Sequence, residues 1–237
     1  MHFLITGIGT RVGKTMLGCA LAFAFKVRGM RVGVMKPVET GCVEANGALV
    51  PADGSGLIAS ASSDLPIDLV SPYRYRAALA PAAAAEAVNA SPPSFDAICR
   101  AYREIAARSD VTIVEDCGGL AAPIDRNNDY ADLALALGLE LIFIVANHTR
   151  RSETEPSTRV RELRSGTDFI SAATLATEYA MRRCIRIRGL ILNALDSESS
   201  ACVERDANFV ARATRVSCLG TVRFKEPVSL AIVEQLL

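Results

Sequence analysis

Near the start of the chain, Gly7-Ile8-Gly9-Thr10-Arg11-Val12-Gly13-Lys14-Thr15 separates a short apolar run from a longer apolar segment of helical period. Glycines let backbone N–H groups turn inward around a chain of phosphates, and the positive end of the following helix adds to the attraction. A lysine closing such a loop reaches the β- and γ-phosphates, and a hydroxyl beside it, here Thr15, binds Mg²⁺. Strand, glycine loop, Gly-Lys-Thr and helix form the context that a phosphate-binding loop requires. The spacing is unusual, with five residues rather than four between Gly7 and Gly13. A capped helix start is the plain alternative, and the preceding strand and extra glycines disfavour it.

Further along, Val111-Thr112-Ile113-Val114 runs into Glu115-Asp116, then Cys117-Gly118-Gly119. An acid at the carboxyl end of a buried strand is where a phosphate-loop enzyme places its second metal contact, because Mg²⁺ takes one or two carboxylates besides phosphates. These residues alone do not choose between Glu115 and Asp116. A second lysine, Lys36, closes the run Arg31 to Met35 and precedes Pro37-Val38-Glu39-Thr40-Gly41. Only four of the 26 basic residues are lysine: Lys14, Lys26, Lys36 and Lys225. In an arginine-rich chain a lysine at a strand end is a choice of compact charge over planar fork. Lys26 reads as a solvated helix residue. Asp53, in Ala52-Asp53-Gly54-Ser55, reads by itself as a helix N-cap.

The elements that must position these groups follow from the apolar pattern. Phe3 to Thr6, Arg31 to Met35, Val111 to Glu115, Leu141 to Ala146 and Arg188 to Asn193 are apolar at nearly every position, as parallel strands covered on both faces are. Gly13 to Arg28, Ser94 to Arg108, Tyr130 to Leu137, Ile170 to Arg182 and Ser199 to Thr214 carry helical spacing. The alternation predicts a single doubly wound, mostly parallel α/β domain, with its ligands beyond the carboxyl ends of the strands. Ala77 to Ala90 reads as a short helix between turns. Residues 149–167, with eight charges in nineteen positions, read as a polar insertion.

Composition limits the functional classes. The 237 residues are half hydrophobic, with 26 acids against 26 bases. A neutral chain without a basic block argues against a nucleic-acid partner. The longest apolar stretches fall short of the roughly 18 residues of a membrane span. Seven scattered cysteines without a C-x-x-C pair suit neither a zinc site nor a disulfide framework. The expectation is a cytoplasmic protein with no membrane partner.

Taken together the motifs resemble the dethiobiotin synthetase family. Its glycine loop has the same five-residue spacing, its Lys-Pro-Val element matches Lys36-Pro37-Val38-Glu39-Thr40-Gly41, and its Val-Glu-x-x-Gly-Gly element matches Val114 to Gly119. An apolar strand closing on asparagine matches Ile191-Leu192-Asn193, and the family's metal-binding aspartate falls in the loop where Asp53 stands. The resemblance implies a P-loop NTPase-like fold and ring closure of 7,8-diaminononanoate with CO₂ and ATP, through a carbamate and a carbamic-phosphoric anhydride. It implies Lys36, Lys14 and Thr10 as catalytic residues, with Thr40, Thr10 and Lys36 at the substrate. ATP would meet Arg11, Val12, Gly13, Lys14, Thr15, Met16, Asp53, Glu115, Asp116, Cys117, Gly118 and Asn193, the last at the adenine. Mg²⁺ would take Thr15, Asp53 and Glu115, and the protein would be a homodimer.

The sequence also departs from that family. Gly9 and Arg11 stand where an aspartate and a glutamate are usual, and residues 149–167 replace a short loop that helps bind the diamine. Two other classes share the fold. A switch ATPase of the partitioning type would carry an extra lysine early in the loop, where this chain has Gly9. An amide-forming ligase acting on a corrin ring would normally be fused to a glutamine-hydrolysing domain.

Overall fold

The computed structural model describes residues 1–147 and 168–237. The expected polar insertion at 149–167 and His148 therefore lie outside the described residues. In chain order the elements begin with β1 (His2–Gly7), α1 (Lys14–Val27), β2 (Val32–Met35), β3 (Val38–Thr40), β4 (Val43–Ala45), β5 (Ala48–Val50), α2 (Ala52–Ala61), α3 (Ile67–Val70) and β6 (Tyr73–Tyr75). They continue with α4 (Pro81–Glu86), α5 (Phe95–Ala106), β7 (Val111–Glu115), α6 (Tyr130–Leu137), β8 (Glu140–Asn147), α7 (Asp168–Arg182), β9 (Ile187–Ala194), α8 (Ser197–Thr214), β10 (Cys218–Val222) and α9 (Leu230–Glu234).

Six strands form one sheet in the order β10-β9-β8-β1-β7-β2, with every neighbouring pair parallel. The chain moves from β1 two places outward to β2, returns to β7, then crosses β1 to build β8, β9 and β10 on the other side. Right-handed crossovers in these two opposite directions put α1 on one face of the sheet and α5 to α8 on the other. The strands are apolar throughout because both faces are covered: β7 is buried at all five positions, and β8 at seven of eight. Phe25, Phe143, Leu4, Ile5 and Ile113 are among the largest fully buried side chains.

Helix ends follow the side chains available there. Ser94 accepts from the Ala97 amide at the start of α5. Asp129 with Asp132, and Asp196 with Ser199, form reciprocal capping boxes on α6 and α8. Gly138 takes the left-handed conformation that closes α6. Among the elements that the apolar pattern does not announce are α2, whose ten residues include two glycines, the short α3 and α9, and the edge strand β10, whose pairing shifts between Cys218 and Gly220. The four strands β3 to β6 are only three residues each. All seven cysteines are free thiols, and Cys184 is exposed rather than buried.

Gly33 in β2 marks a close approach of α5 to the sheet. A methyl group there would lie 2.7 Å from Ile105 Cγ2 and closer still to the Ser109 hydroxyl. Gly33→Ala is expected to lose about 1–3 kcal/mol through overpacking, read as a lower urea midpoint at unchanged slope.

Candidate functional site

Three strands that end side by side, β2, β7 and β1, deliver the chemistry-bearing residues. Met35 pairs with Val114 and Ile5 with Glu115, so Lys36, Glu115-Asp116 and the glycine loop emerge at one level. Backbone conformation then shapes the loop. Gly13 takes φ 96°, and an added methyl would run into the Asn193 amide. Gly119, at φ 107°, lets the chain pass within contact of the Gly7 carbonyl. Arg11 adopts φ 57° without being glycine, a sparsely populated conformation of the kind found at ligand sites.

The Lys36 ammonium is buried and held from three sides. It lies 2.6 Å from Glu115 Oε1 and 3.2 Å from Asp53 Oδ2, and it donates to the Asp116 carbonyl at 2.9 Å. Burial by itself would lower its pKa; the carboxylates of Glu115 and Asp53 outweigh burial and hold it above the ordinary lysine value. On the lysine side its ion pairs therefore contribute through the neutral range and are lost as pH rises to strongly alkaline values; on the acid side they are lost as the carboxylates take up protons. Burial raises the pKa of Glu115 against the pull of Lys36, and that of Asp116 against the pull of Lys14. The short contact to a charged lysine and a hydrogen bond from the Thr15 hydroxyl, 2.8 Å, favour the ionised form of Glu115 against that burial.

Lys14 is 8 % exposed, donates to the Gly9 carbonyl at 3.0 Å and lies 3.5 Å from Asp116 Oδ1. Asp116 also accepts from the Gly119 amide at 3.2 Å, which ties the two-glycine turn to the strand end. The Thr40 hydroxyl touches Cys117 Sγ at 3.2 Å. Two ammonium groups thus face the three carboxylates Asp53, Glu115 and Asp116, and Glu115 Oε2 has no hydrogen-bond partner among the described residues.

A cavity of about 1190 Å³ opens over this cluster. Thr10, Arg11, Gly13, Lys14, Thr15, Met16, Lys36, Thr40, Asp53, Glu115, Asp116, Cys117 and Gly118 all line it. Its far wall is apolar and includes Leu79, Leu120, Pro123, Leu175 and Ala176. Val12 lines a smaller neighbouring cavity of about 460 Å³. Asn193 lines neither; its buried side-chain amide donates to the Val12 carbonyl at 2.9 Å and so fixes the glycine loop from below.

Asp53 departs from the sequence reading. The cap position of α2 is Pro51, which offers no side-chain bond, and Asp53 lies in the first turn with its carboxylate turned to Lys36. The cap is Glu39, whose carboxylate accepts the amides of Asp53 at 2.9 Å and Gly54 at 3.0 Å. Sequence reasoning passed over this residue, because a glutamate beside Thr40 carries no mark of being buried. It also passed over Tyr179 on α7, which lines the cavity and bonds to the Asp129 carboxylate, with Arg183 donating to its hydroxyl at 2.7 Å.

Oxygen donors set around Glu115 fit a small hard cation. Mg²⁺ takes one or two carboxylates and completes its shell with phosphate and water. Thr15 Oγ1, the unpartnered Glu115 Oε2 and the half-exposed Asp53 are the groups that could hold it. Among the described residues no cluster of three or more His, Cys, Asp or Glu could hold a metal by itself.

The AAA domain family matches residues 1–230 of this chain. An ATP-dependent dethiobiotin synthetase of Anaeromyxobacter dehalogenans strain 2CP-C is 32% identical over 210 residues, covering 89% of this chain and 84% of the relative. That of strain 2CP-1 is 30% identical over 226 residues, covering 95% and 87%. Among solved structures, the MinC:MinD cell division protein complex of Aquifex aeolicus superposes with a TM-score of 0.52 at 12% identity, covering 99% of this chain and 86% of that one. At that identity the likeness concerns the fold alone.

Replacing Lys36 should leave Glu115 as an uncompensated buried charge. Lys36→Met is expected to lose about 3–5 kcal/mol at neutral pH. Glu115, pushed up by burial with no ammonium to oppose it, then favours the protonated form, so the variant should weaken as pH rises through its folded pKa. Urea unfolding at about pH 5 and pH 8 reads both effects; equal stability of variant and parent at the higher pH would show that the pair carries no net weight.

Proposed function

The chain belongs to the family of ATP-dependent dethiobiotin synthetases, and we propose that it closes the cyclic urea of dethiobiotin from 7,8-diaminononanoate, CO₂ and ATP. The observation that carries this reading is the convergence of Lys14, Lys36, Thr15 and Glu115 on one crevice beside a cavity with an apolar wall. That wall suits the alkyl chain of a long diamino acid, and the polar floor suits a triphosphate.

One amine takes CO₂ as a carbamate and releases a proton. A carbamate oxygen attacks the γ-phosphorus, the bond to the β,γ-bridging oxygen breaks, and ADP leaves. The second amine then attacks the carbonyl carbon of the mixed anhydride, phosphate departs and the ring closes. Such transfer asks mostly for positioning and neutralised charge. Lys14, held by the Gly9 carbonyl, would meet the phosphates, and Lys36, held by Glu115 and the Asp116 carbonyl, would supply positive charge beside the transferred group. Thr10 and Thr40, which both line the cavity, would offer hydroxyl donors to the carbamate or phosphate. Mg²⁺ bound by Thr15, Glu115 and Asp53 would offset charge on the β- and γ-phosphates.

The same reading takes the loop from Arg11 to Met16 and the turn from Asp116 to Gly118 as the cradle of the nucleotide, with Asn193 on the adenine side. It takes the protein as a cytoplasmic homodimer. Among the described residues no helix is long and apolar enough to cross a membrane.

Purified protein with diaminononanoate, bicarbonate and MgATP is expected to release one ADP per dethiobiotin formed; ATP hydrolysis indifferent to the diamine would refute the proposal. Lys36→Ala is expected to slow turnover by about 100- to 1,000-fold, the cost of losing one aimed charge, with nucleotide affinity nearly unchanged. Loss of ATP binding instead would reassign Lys36 to the nucleotide.

A further inference from the structure

Glu39 has no part in the steps above, yet it is buried beside them at 5% exposure. Its two oxygens accept one backbone N–H each, from Asp53 and Gly54. These belong to the first turn of α2, where no helix can satisfy its own donors. With extended Pro51 at the cap position, nothing local does so. Glu39 supplies from another segment what an aspartate at the cap would supply in place, and its negative charge meets the positive end of the helix.

The segment that carries Glu39 also carries Lys36. Its backbone is anchored at both ends: the Lys36 amide donates to the Val70 carbonyl at 2.9 Å, and β3 pairs in register with β6 from Val38 to Thr40. Lys36 Nζ reaches Asp53 Oδ2 at 3.2 Å, while Glu39 grips the backbone of that same aspartate. One short segment therefore holds both ends of the Lys36–Asp53 contact.

We infer that Glu39 is a positioning residue for the metal–nucleotide site: by clamping the first turn of α2 to the Lys36 segment, it sets where the Asp53 carboxylate stands. The inference rests on the reading of Asp53 as a magnesium donor. A plain helix cap would add only stability to α2. A clamp on Asp53 sets metal affinity, and does so only while Asp53 is a carboxylate.

Mn²⁺ binding in the presence of a non-hydrolysable ATP analogue, followed by electron paramagnetic resonance, separates the two roles without needing turnover. Glu39→Ala is expected to weaken Mn²⁺ binding by about tenfold, the scale of a lost charged cap. Glu39→Gln keeps one acceptor oxygen and should fall between it and the parent. Exchange of the Asp53 and Gly54 amides, followed by NMR, should speed up in the same order. In an Asp53→Asn background the Glu39 changes should add nothing further to the loss of metal affinity, because residues acting as one unit are not additive. The same weakening in that background, or a lowered melting temperature with metal affinity intact, would reduce Glu39 to a cap and overturn the inference. Unchanged Mn²⁺ binding in Asp53→Asn alone would overturn it together with the role of Asp53, whether or not the protein makes dethiobiotin.

Discussion

At the carboxyl ends of two neighbouring strands, the Lys36 ammonium and the Glu115 carboxylate meet 2.6 Å apart, with almost no access to water. Two charges taken out of water cost more than their attraction returns unless the remaining donors and acceptors are satisfied. Much of the surrounding geometry supplies that satisfaction. The Asp116 carbonyl takes one ammonium proton, Asp53 faces another, and Thr15 donates to the carboxylate. Each partner comes from a different element, so the pair holds β2, β7, α1 and α2 at fixed distances from one another. A buried ion pair is weak evidence for stability, and here it fixes the geometry of the cluster beneath the cavity.

The glycine loop depends on that cluster and on a second anchor. Lys14 touches the loop's own Gly9 carbonyl and the Asp116 carboxylate, so the loop is tied across to the end of β7. From the other side Asn193, at the end of β9, donates to the Val12 carbonyl. The loop is thus gripped from both halves of the sheet, at the point where the chain reverses its direction of winding, where open α/β sheets place their ligands. α7 lines the cavity from its own side, and its Tyr179, with Arg183 just past its end, reaches the two acids that cap α6.

Several parts of this arrangement could be read without coordinates. β7 and α6 fall on the same residues in sequence and structure, because an unbroken apolar run and a strong cap leave no room for another assignment. Lys14, Lys36 and the pair Glu115-Asp116 stand out by position at strand ends or loop ends, and parallel strands carry such residues to one edge. α2 was obscured by its glycines, which lower helix propensity; its support is the distant Glu39 and packing on α1. β10 was obscured by Gly220 and a register shift at the edge of the sheet. Asp53 read as a cap because local spacing cannot say that a proline occupies the cap and a glutamate fourteen residues earlier does its work.

Local sequence was enough to determine the alternation of five long parallel strands with helices, the glycine loop that requires Gly13, and the identities of the two lysines and two strand-end acids. All of these depend on backbone preference or apolar period within a few residues. Tertiary structure alone decided which carboxylate each lysine meets: Lys36 pairs with Glu115 and Asp53, and Lys14 with Asp116. It alone turned Asn193 onto the loop and made Glu39 the cap of α2. The physical reason is burial. A charge or amide removed from water must find its partner wherever the fold brings one, and that partner can stand 79 residues away along the chain, as Glu115 does from Lys36.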